Sequence, residues 1–305
     1  MDFIALYKII PLALICLLGF VCVFLSMFTK DQINAVSKLS FNVLIPLFLF
    51  QSTRQADLDA ALSWQWFFTF YASIVGLFIL TFSYLRWVKK QQRGPAAMRT
   101  LTATYSNTVL VAIPVLVGLL GTQTAGQAFV LLAFHSAILF TLVELLATKV
   151  SSKTIFSSFK NPIVMSIAAG LLFNLSGLTL PELVSTPMTQ LGQAAIPLAL
   201  FCLGASMRFL PIKGNRVDAM ILSTIKLFVL PMITFLVGTW VGLDATAMLI
   251  VVLLTASPTG VNAFIMASKH QVEEGVSATT VVLSTMLSVI SISFWSHFLF
   301  SAVPT

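Results

Sequence analysis

The chain has 305 residues, of which 58% are apolar and only 9% charged, and its mean hydropathy is +0.99. A soluble domain has too little interior to hide that much apolar surface, so this composition is suited to a bilayer as its solvent. The net charge of +7 sits in short connections between apolar stretches, where basic residues set membrane topology and do not form a nucleic-acid footprint.

In chain order, ten apolar spans are expected at 3–27, 33–51, 64–86, 95–120, 124–147, 161–177, 186–207, 216–240, 246–269 and 275–300. Most approach the ~20 residues that cross a hydrocarbon core, and the sixth is short. The first span is too long for a signal-peptide core and lacks a small-residue cleavage site, so it reads as a retained helix. The second carries Ile45-Pro46-Leu47-Phe48-Leu49-Phe50, which returns in the seventh as Ile196-Pro197-Leu198-Ala199-Leu200-Phe201. A carboxamide, Asn42 or Gln193, precedes each proline by four residues. These amides either face a substrate path or bond between helices, as buried amides commonly do.

The fourth span carries Asn107-Thr108-Val109-Leu110-Val111-Ala112-Ile113-Pro114, and the ninth carries Ser257-Pro258-Thr259-Gly260-Val261-Asn262. A proline inside a helix removes one hydrogen bond and clashes with the preceding turn. In lipid the freed carbonyls need partners, so such breaks persist only where protein or a watery cavity supplies them. Two broken helices at equivalent places suggest a crossover at mid-membrane.

His135 lies deep in the fifth span, as a proton relay or, more commonly for a lone buried histidine, as a neutral hydrogen-bonding residue. Glu144, near Lys149, reads as a solvated edge acid. Asn161-Pro162 opens the sixth span with an N-cap residue and a first-position proline. Lys226 lies about 15 Å into the eighth span at ~1.5 Å per residue. A charge at that depth is a functional hypothesis by default. It pairs with an anionic substrate, or it neutralises the negative C-terminal helix ends at a crossover. Cys16, Cys22 and Cys202 all lie in apolar spans and show no metal-site spacing, so they read as packing thiols.

The loops after spans 1, 3, 5, 7 and 9 hold nearly all the Lys and Arg, and the alternate loops hold Arg54 and the acids Asp57, Asp59, Glu182 and Asp244. The positive-inside rule makes the first set cytoplasmic and places both termini outside, in the periplasmic sense, in a multi-pass plasma-membrane protein. With five spans per half, the second half crosses in the opposite sense to the first. The domain reading is therefore a repeat at 1–147, a cytoplasmic linker at 148–160 and an inverted repeat at 161–305.

Four stretches resemble the auxin efflux carrier family, which includes plant PIN proteins and bacterial permeases suggested to carry malonate or malate. They are Asn107 to Pro114, Leu191 to Ala205, Lys226-Leu227-Phe228-Val229-Leu230-Pro231 and Ser257 to Phe264. The resemblance covers essentially the whole chain. It implies an all-α, ten-helix fold of the sodium/proton-antiporter and bile-acid-transporter type. Helices 1, 2, 6 and 7 would form a scaffold, and helices 3–5 and 8–10 a moving transport domain, with broken helices 4 and 9 crossing at the site. It also implies that Asn107 contacts substrate, and homodimers are frequent in this fold. The short linker departs from the plant proteins, so the resemblance does not by itself imply plant-style regulation or auxin specificity.

Helix N-terminal ends near mid-membrane offer free N–H groups and partial positive charge, so a carboxylate can sit there without a formal cation. Asn107 can donate to it and Asn262 can line the same cavity, with Pro114 and Pro258 at the crossing and Asn42 and Gln193 along the path. Alternatively, Ser106 or Asn107 caps a helix half. The expected function is a secondary transporter of small organic anions, auxin-like or malonate-like, working by elevator-type alternating access. A sodium-coupled symporter of the bile-acid type and a ligand-binding membrane receptor without flux are the alternatives. No Walker loop, His/Cys metal cluster or catalytic triad is evident, so neither enzyme chemistry nor a cofactor or metal is expected. The predicted transport domain also lacks an acidic pair. The expected partners are a small anion and the lipid bilayer, with no nucleic acid.

Overall fold

A computed structural model describes residues 4–56, 63–147 and 162–302. The basic linker 148–160, Asn161, Asp57 and Asp59 lie outside the described residues. Among the described residues all regular structure is helical, apart from one isolated pair of bridged residues. The helices are α1 (Ile4–Phe24), α2 (Lys30–Thr53), α3 (Trp64–Val88), α4 (Arg93–Thr104), α5 (Thr108–Thr122), α6 (Ala128–Leu146), α7 (Pro162–Leu175), α8 (Glu182–Met207), α9 (Arg216–Val241), α10 (Ala245–Ala256), α11 (Val261–Lys269) and α12 (Glu274–Ala302). Six of them, α2, α3, α6, α8, α9 and α12, are long and apolar enough to cross a membrane by themselves. Shorter apolar segments, of 10–17 residues, fall in α1, α5, α7 and α10. The chain is thus an all-α multi-pass membrane protein.

Helix ends are set by local chemistry. Thr29 and Gln32 form a reciprocal capping box at the start of α2. Asn215 and Asp244 cap α9 and α10 by accepting from Val217 and Ala247 N–H groups. Gly242, left-handed at φ 79, closes α9. Gly121, at φ 83 and ψ 169, breaks the helical run Ile113–Ala147 near the end of α5.

Pro46, Pro114 and Pro231 do not break their helices. Each follows a π-helical turn, at Ser40–Leu44, Thr108–Ala112 and Ile225–Val229 respectively. The pyrrolidine ring clashes with the carbonyl four residues back, and the extra residue of a π turn carries that carbonyl aside. For Pro231 this carbonyl belongs to Leu227. It is satisfied from α12, where Ser291 Oγ donates at 2.7 Å and Trp295 Nε1 at 3.0 Å. The interruption expected near Pro114 therefore falls earlier, between α4 and α5.

Packing is closest where α1 meets α8. A Cβ on Gly204 would stand 1.7 Å from the Cys16 carbonyl oxygen, and one on Gly19 would stand 2.0 Å from that of Phe201. Small residues permit this backbone-to-backbone approach between helices in lipid. Residues Ala247 to Ala256 of α10 are buried without exception, so that helix lies in the protein interior. Leu14, Leu17 and Leu18 of α1, Ile79 and Leu80 of α3, and Leu172 and Leu175 of α7 are exposed, as lipid-facing residues should be. Trp64 and Trp240 are exposed where α3 begins and α9 ends, and Trp87 is exposed at the far end of α3 beneath Arg86. Tryptophans at both ends of one apolar helix mark the two membrane interfaces.

Polar ties join the helix ends. Arg99 of α4 meets Asp218 of α9 at 2.9 Å and Glu273, just before α12, at 3.1 Å. Glu144 of α6, expected as a solvated edge acid, is instead buried and bound by Lys269 at 3.3 Å and His270 at 3.2 Å.

Candidate functional site

Two helical interruptions meet in the interior. Tyr105–Asn107 separates α4 from α5, and Ser257–Gly260 separates α10 from α11. Both leave helical geometry, with ψ 112° at Tyr105, 63° at Asn107, 152° at Ser257 and 142° at Gly260. They lie antiparallel, with Ser106 opposite Thr259. Asn107 N–H donates to the Pro258 carbonyl at 2.7 Å, and Gly260 N–H to the Tyr105 carbonyl at 3.0 Å. Pro258 is asked only for its oxygen, so its missing N–H is no loss here. Thr259 adds its own N–H to Ser284 Oγ at 3.0 Å and its hydroxyl to the Thr102 carbonyl at 2.9 Å. These bonds satisfy backbone groups that lipid would leave bare. Gly260 has to be glycine for this approach, because a Cβ there would stand 2.6 Å from the Tyr105 ring.

Beside this pairing lies a cavity of ≈ 60 Å³ whose polar lining comes from Tyr105, Ser106, Asn107, Thr108, Ser136 and Asn262. A water needs ~10–15 Å³ of such space, so there is room for a few waters or one small polar group. The first residues of α5 and α11 open onto it, and the N–H groups of a first helical turn have no partner within the helix. Asn107 is buried, makes no side-chain cap, and its Nδ2 has no hydrogen-bond partner among the described residues. Asn262, more exposed, donates Nδ2 to the Tyr105 hydroxyl at 3.1 Å, and that hydroxyl meets Ser136 Oγ at 2.6 Å. The Tyr105 ring stacks on Phe140 with centroids 5.2 Å apart. The arrangement offers an anion neutral donors and two helix starts, with no cationic side chain in the lining among the described residues.

The other residues singled out in the sequence lie elsewhere. His135 is buried behind the interruption between the rings of Phe70 and Tyr105, and its Nε2 accepts from Ser106 N–H at 3.3 Å. An accepting Nε2 makes Nδ1 the protonated nitrogen of the neutral ring, and Nδ1 has no partner among the described residues. Lys226 is wholly buried and bonds the Thr255 and Ser257 carbonyls at the end of α10, outside the cavity lining. Pro114 faces a separate apolar groove of ≈ 350 Å³ bounded by α1, α5, α8 and α12. Asn42 is exposed and lines a shallow cavity with Pro46, Ser166 and Met188. Gln193 is exposed where α8 is interrupted at Ala194. The structure thus brings Asn107, Pro258 and Asn262 together and adds Tyr105 and Ser136, neither of which the sequence singles out. Tyr105 adjoins Ser106-Asn107 in the chain, but Ser136 is 31 positions away, and only the fold joins them.

The sequence profile of the family described as "Membrane transport protein" matches residues 4–149 and 146–296. A Methanothermobacter thermautotrophicus protein named "Uncharacterized transporter" is 23% identical over 294 residues, covering 94% of this chain and 96% of that one. A Rhizobium meliloti protein named "Putative malonate transporter" is 20% identical over 264 residues, covering 82% of this chain and 81% of that one.

Proposed function

Since the chain belongs to the membrane transport protein family, that of the auxin efflux carriers, and is a multi-pass transporter rather than an enzyme, we propose that it is a secondary carrier of small carboxylates. The observation that carries this reading is the buried Asn107 amide. It is a donor without a partner among the described residues, facing a cavity onto which two helix starts open. A buried donor left unmade costs about 1–3 kcal/mol, which a bound acceptor would recover. A carboxylate oxygen is such an acceptor, and helix N-termini favour its charge. The name of the Rhizobium meliloti relative makes malonate and its neighbours the first substrates to test.

Ten spans in two inverted five-helix halves are the topology that goes with this reading, with both termini outside the plasma membrane. Each of the two interruptions then falls in the fourth span of its half. The tight glycine contact of α1 with α8 supports their place in a scaffold with α2 and α7. The apolar groove separating that pair from α5 and α12 supports a sliding boundary, as elevator-type alternating access needs. An inside-negative potential drives an anion outward by about 2.3 kcal/mol per charge per 100 mV, so export needs no coupling ion.

The test is charge movement in proteoliposomes offered mono- and dicarboxylates, with and without a sodium gradient. Sodium-independent current with malonate-sized acids is the expected result. Current only with sodium would establish a symporter instead, and saturable binding without electrical or isotopic flux would make the chain a receptor.

Tyr105→Phe is predicted to keep the ring stack and the folded yield while releasing Asn262 and Ser136. The loss of about 1 kcal/mol raises the half-saturating carboxylate concentration roughly fivefold. An unchanged concentration dependence would remove Tyr105 from the site.

A further inference from the structure

Among the described residues, Lys226 is the only lysine or arginine that is fully buried, at 0% exposure. An ion at that depth needs partners of opposite sign, and these are main-chain carbonyls. Its Nζ donates to the Thr255 carbonyl and, at 2.6 Å, to that of Ser257. The last carbonyls of a helix have no partner within it and carry about half a negative charge between them. At the end of α10 that charge is enclosed, because Ala247 to Ser257 are all buried. A cluster of carbonyl oxygens away from water is also how proteins replace the hydration shell of an alkali-metal ion. An ammonium group is close in size to a potassium ion and bears the same charge.

We propose that Lys226 is a tethered cation filling, between the Thr255 and Ser257 carbonyls, the place an alkali-metal ion would take. The chain therefore needs no free ion at its second interruption and moves its substrate without consuming a sodium or potassium gradient. Two features separate this from a substrate-binding role. Lys226 lies outside the lining of the cavity beside Asn107, and two of its three N–H donors are committed to carbonyls. Removing the ammonium while keeping the fold leaves those oxygens and the helix end uncompensated, which opens a site for an ion from solution.

The consequence for coupling rests on the carrier reading above, but the test does not. The purified full-length chain, Lys226→Met and Lys226→Gln are melted in choline chloride, then with choline replaced by lithium, sodium or potassium at constant ionic strength. Methionine fills much of the same space without charge, and glutamine keeps a neutral donor. The expected result is a parent whose melting temperature is the same in all four salts. Both variants should melt lower in choline and recover several degrees, saturably, in the alkali ion of fitting size. Three results would overturn the proposal: variants indifferent to the cation, variants that do not fold at any alkali-ion concentration, or a parent itself stabilised saturably by one of these ions. Because melting needs no substrate, failure to find a transported carboxylate leaves this outcome standing. Conversely, a cation-indifferent variant leaves the carrier reading intact.

Discussion

An Asn107→Ala variant is expected to carry carboxylates 10- to 150-fold less well at low concentration while melting with the parent protein. A hydrogen bond to a charged group contributes about 1.5–3 kcal/mol, which is that range of affinity. No matching loss of stability is expected, because Nδ2 of Asn107 has no hydrogen-bond partner among the described residues. The link that ties residue 107 to the second interruption is its main-chain N–H, 2.7 Å from the Pro258 carbonyl, and alanine keeps it. Removing an unpartnered buried donor can even raise the melting temperature slightly. Asn107→Asp sharpens the test by setting a carboxylate where the substrate's own would lie, so its flux should fall further. Undiminished uptake by the alanine variant, or a loss of flux accompanied by a matching loss of folded protein, would reduce Asn107 to a structural residue.

The largest expected loss of stability comes from a single methyl group at Gly204. Its Cβ would enter the Cys16 carbonyl at 1.7 Å, and the Cys16 carbonyl carbon lies 2.6 Å from the same point. No rotamer change relieves a clash with backbone, so α1 and α8 must move apart along the face that also holds Gly19 against Phe201. Overpacking typically costs about 1–3 kcal/mol and more where backbone has to shift, so Gly204→Ala should fall at or beyond the top of that range. Gly76, inside α3, is the matched control, with nothing within 4 Å of an added Cβ. There alanine should gain about 0.5–1 kcal/mol of helix propensity. Melting temperatures in detergent should move in opposite directions for the two substitutions. A Gly204→Ala protein that melts with the parent would mean the two helices are not held at this distance.

How much of this was legible in the sequence depends on whether the deciding interaction is local. Hydropathy places the membrane helices closely: 64–86 becomes Trp64–Val88 and 216–240 becomes Arg216–Val241. Apolar length is all that signal requires. The interruption at Ser257–Gly260 is equally plain, since proline, glycine and small polar residues sit together there. Pro114 misleads because a π turn absorbs it, and the interruption falls at Tyr105–Asn107, where no proline or glycine marks it. A tyrosine followed by serine and asparagine reads as an ordinary helix end until an opposing strand supplies its bonds. Glu144 misleads for a similar reason. Its neighbour in sequence is Lys149, but its partners among the described residues include Lys269 and His270, which are 125 and 126 positions away.

The two interruptions are joined through main-chain atoms at 105, 107, 258 and 260. A peptide group is the same whatever side chain it carries, so the join is blind to most substitutions. The exceptions are Gly260, which the Tyr105 ring confines, Thr259, whose hydroxyl bonds the Thr102 carbonyl, and the Asn262–Tyr105 side-chain bond. The side chain at 107 is therefore separable from the main-chain frame that holds it. In the carrier proposed above, an amide at 107 can give way to a hydroxyl or aliphatic group, and so meet a different cargo, without rebuilding the protein around it. Selection can thus explore chemistry at this place while architecture stays constant.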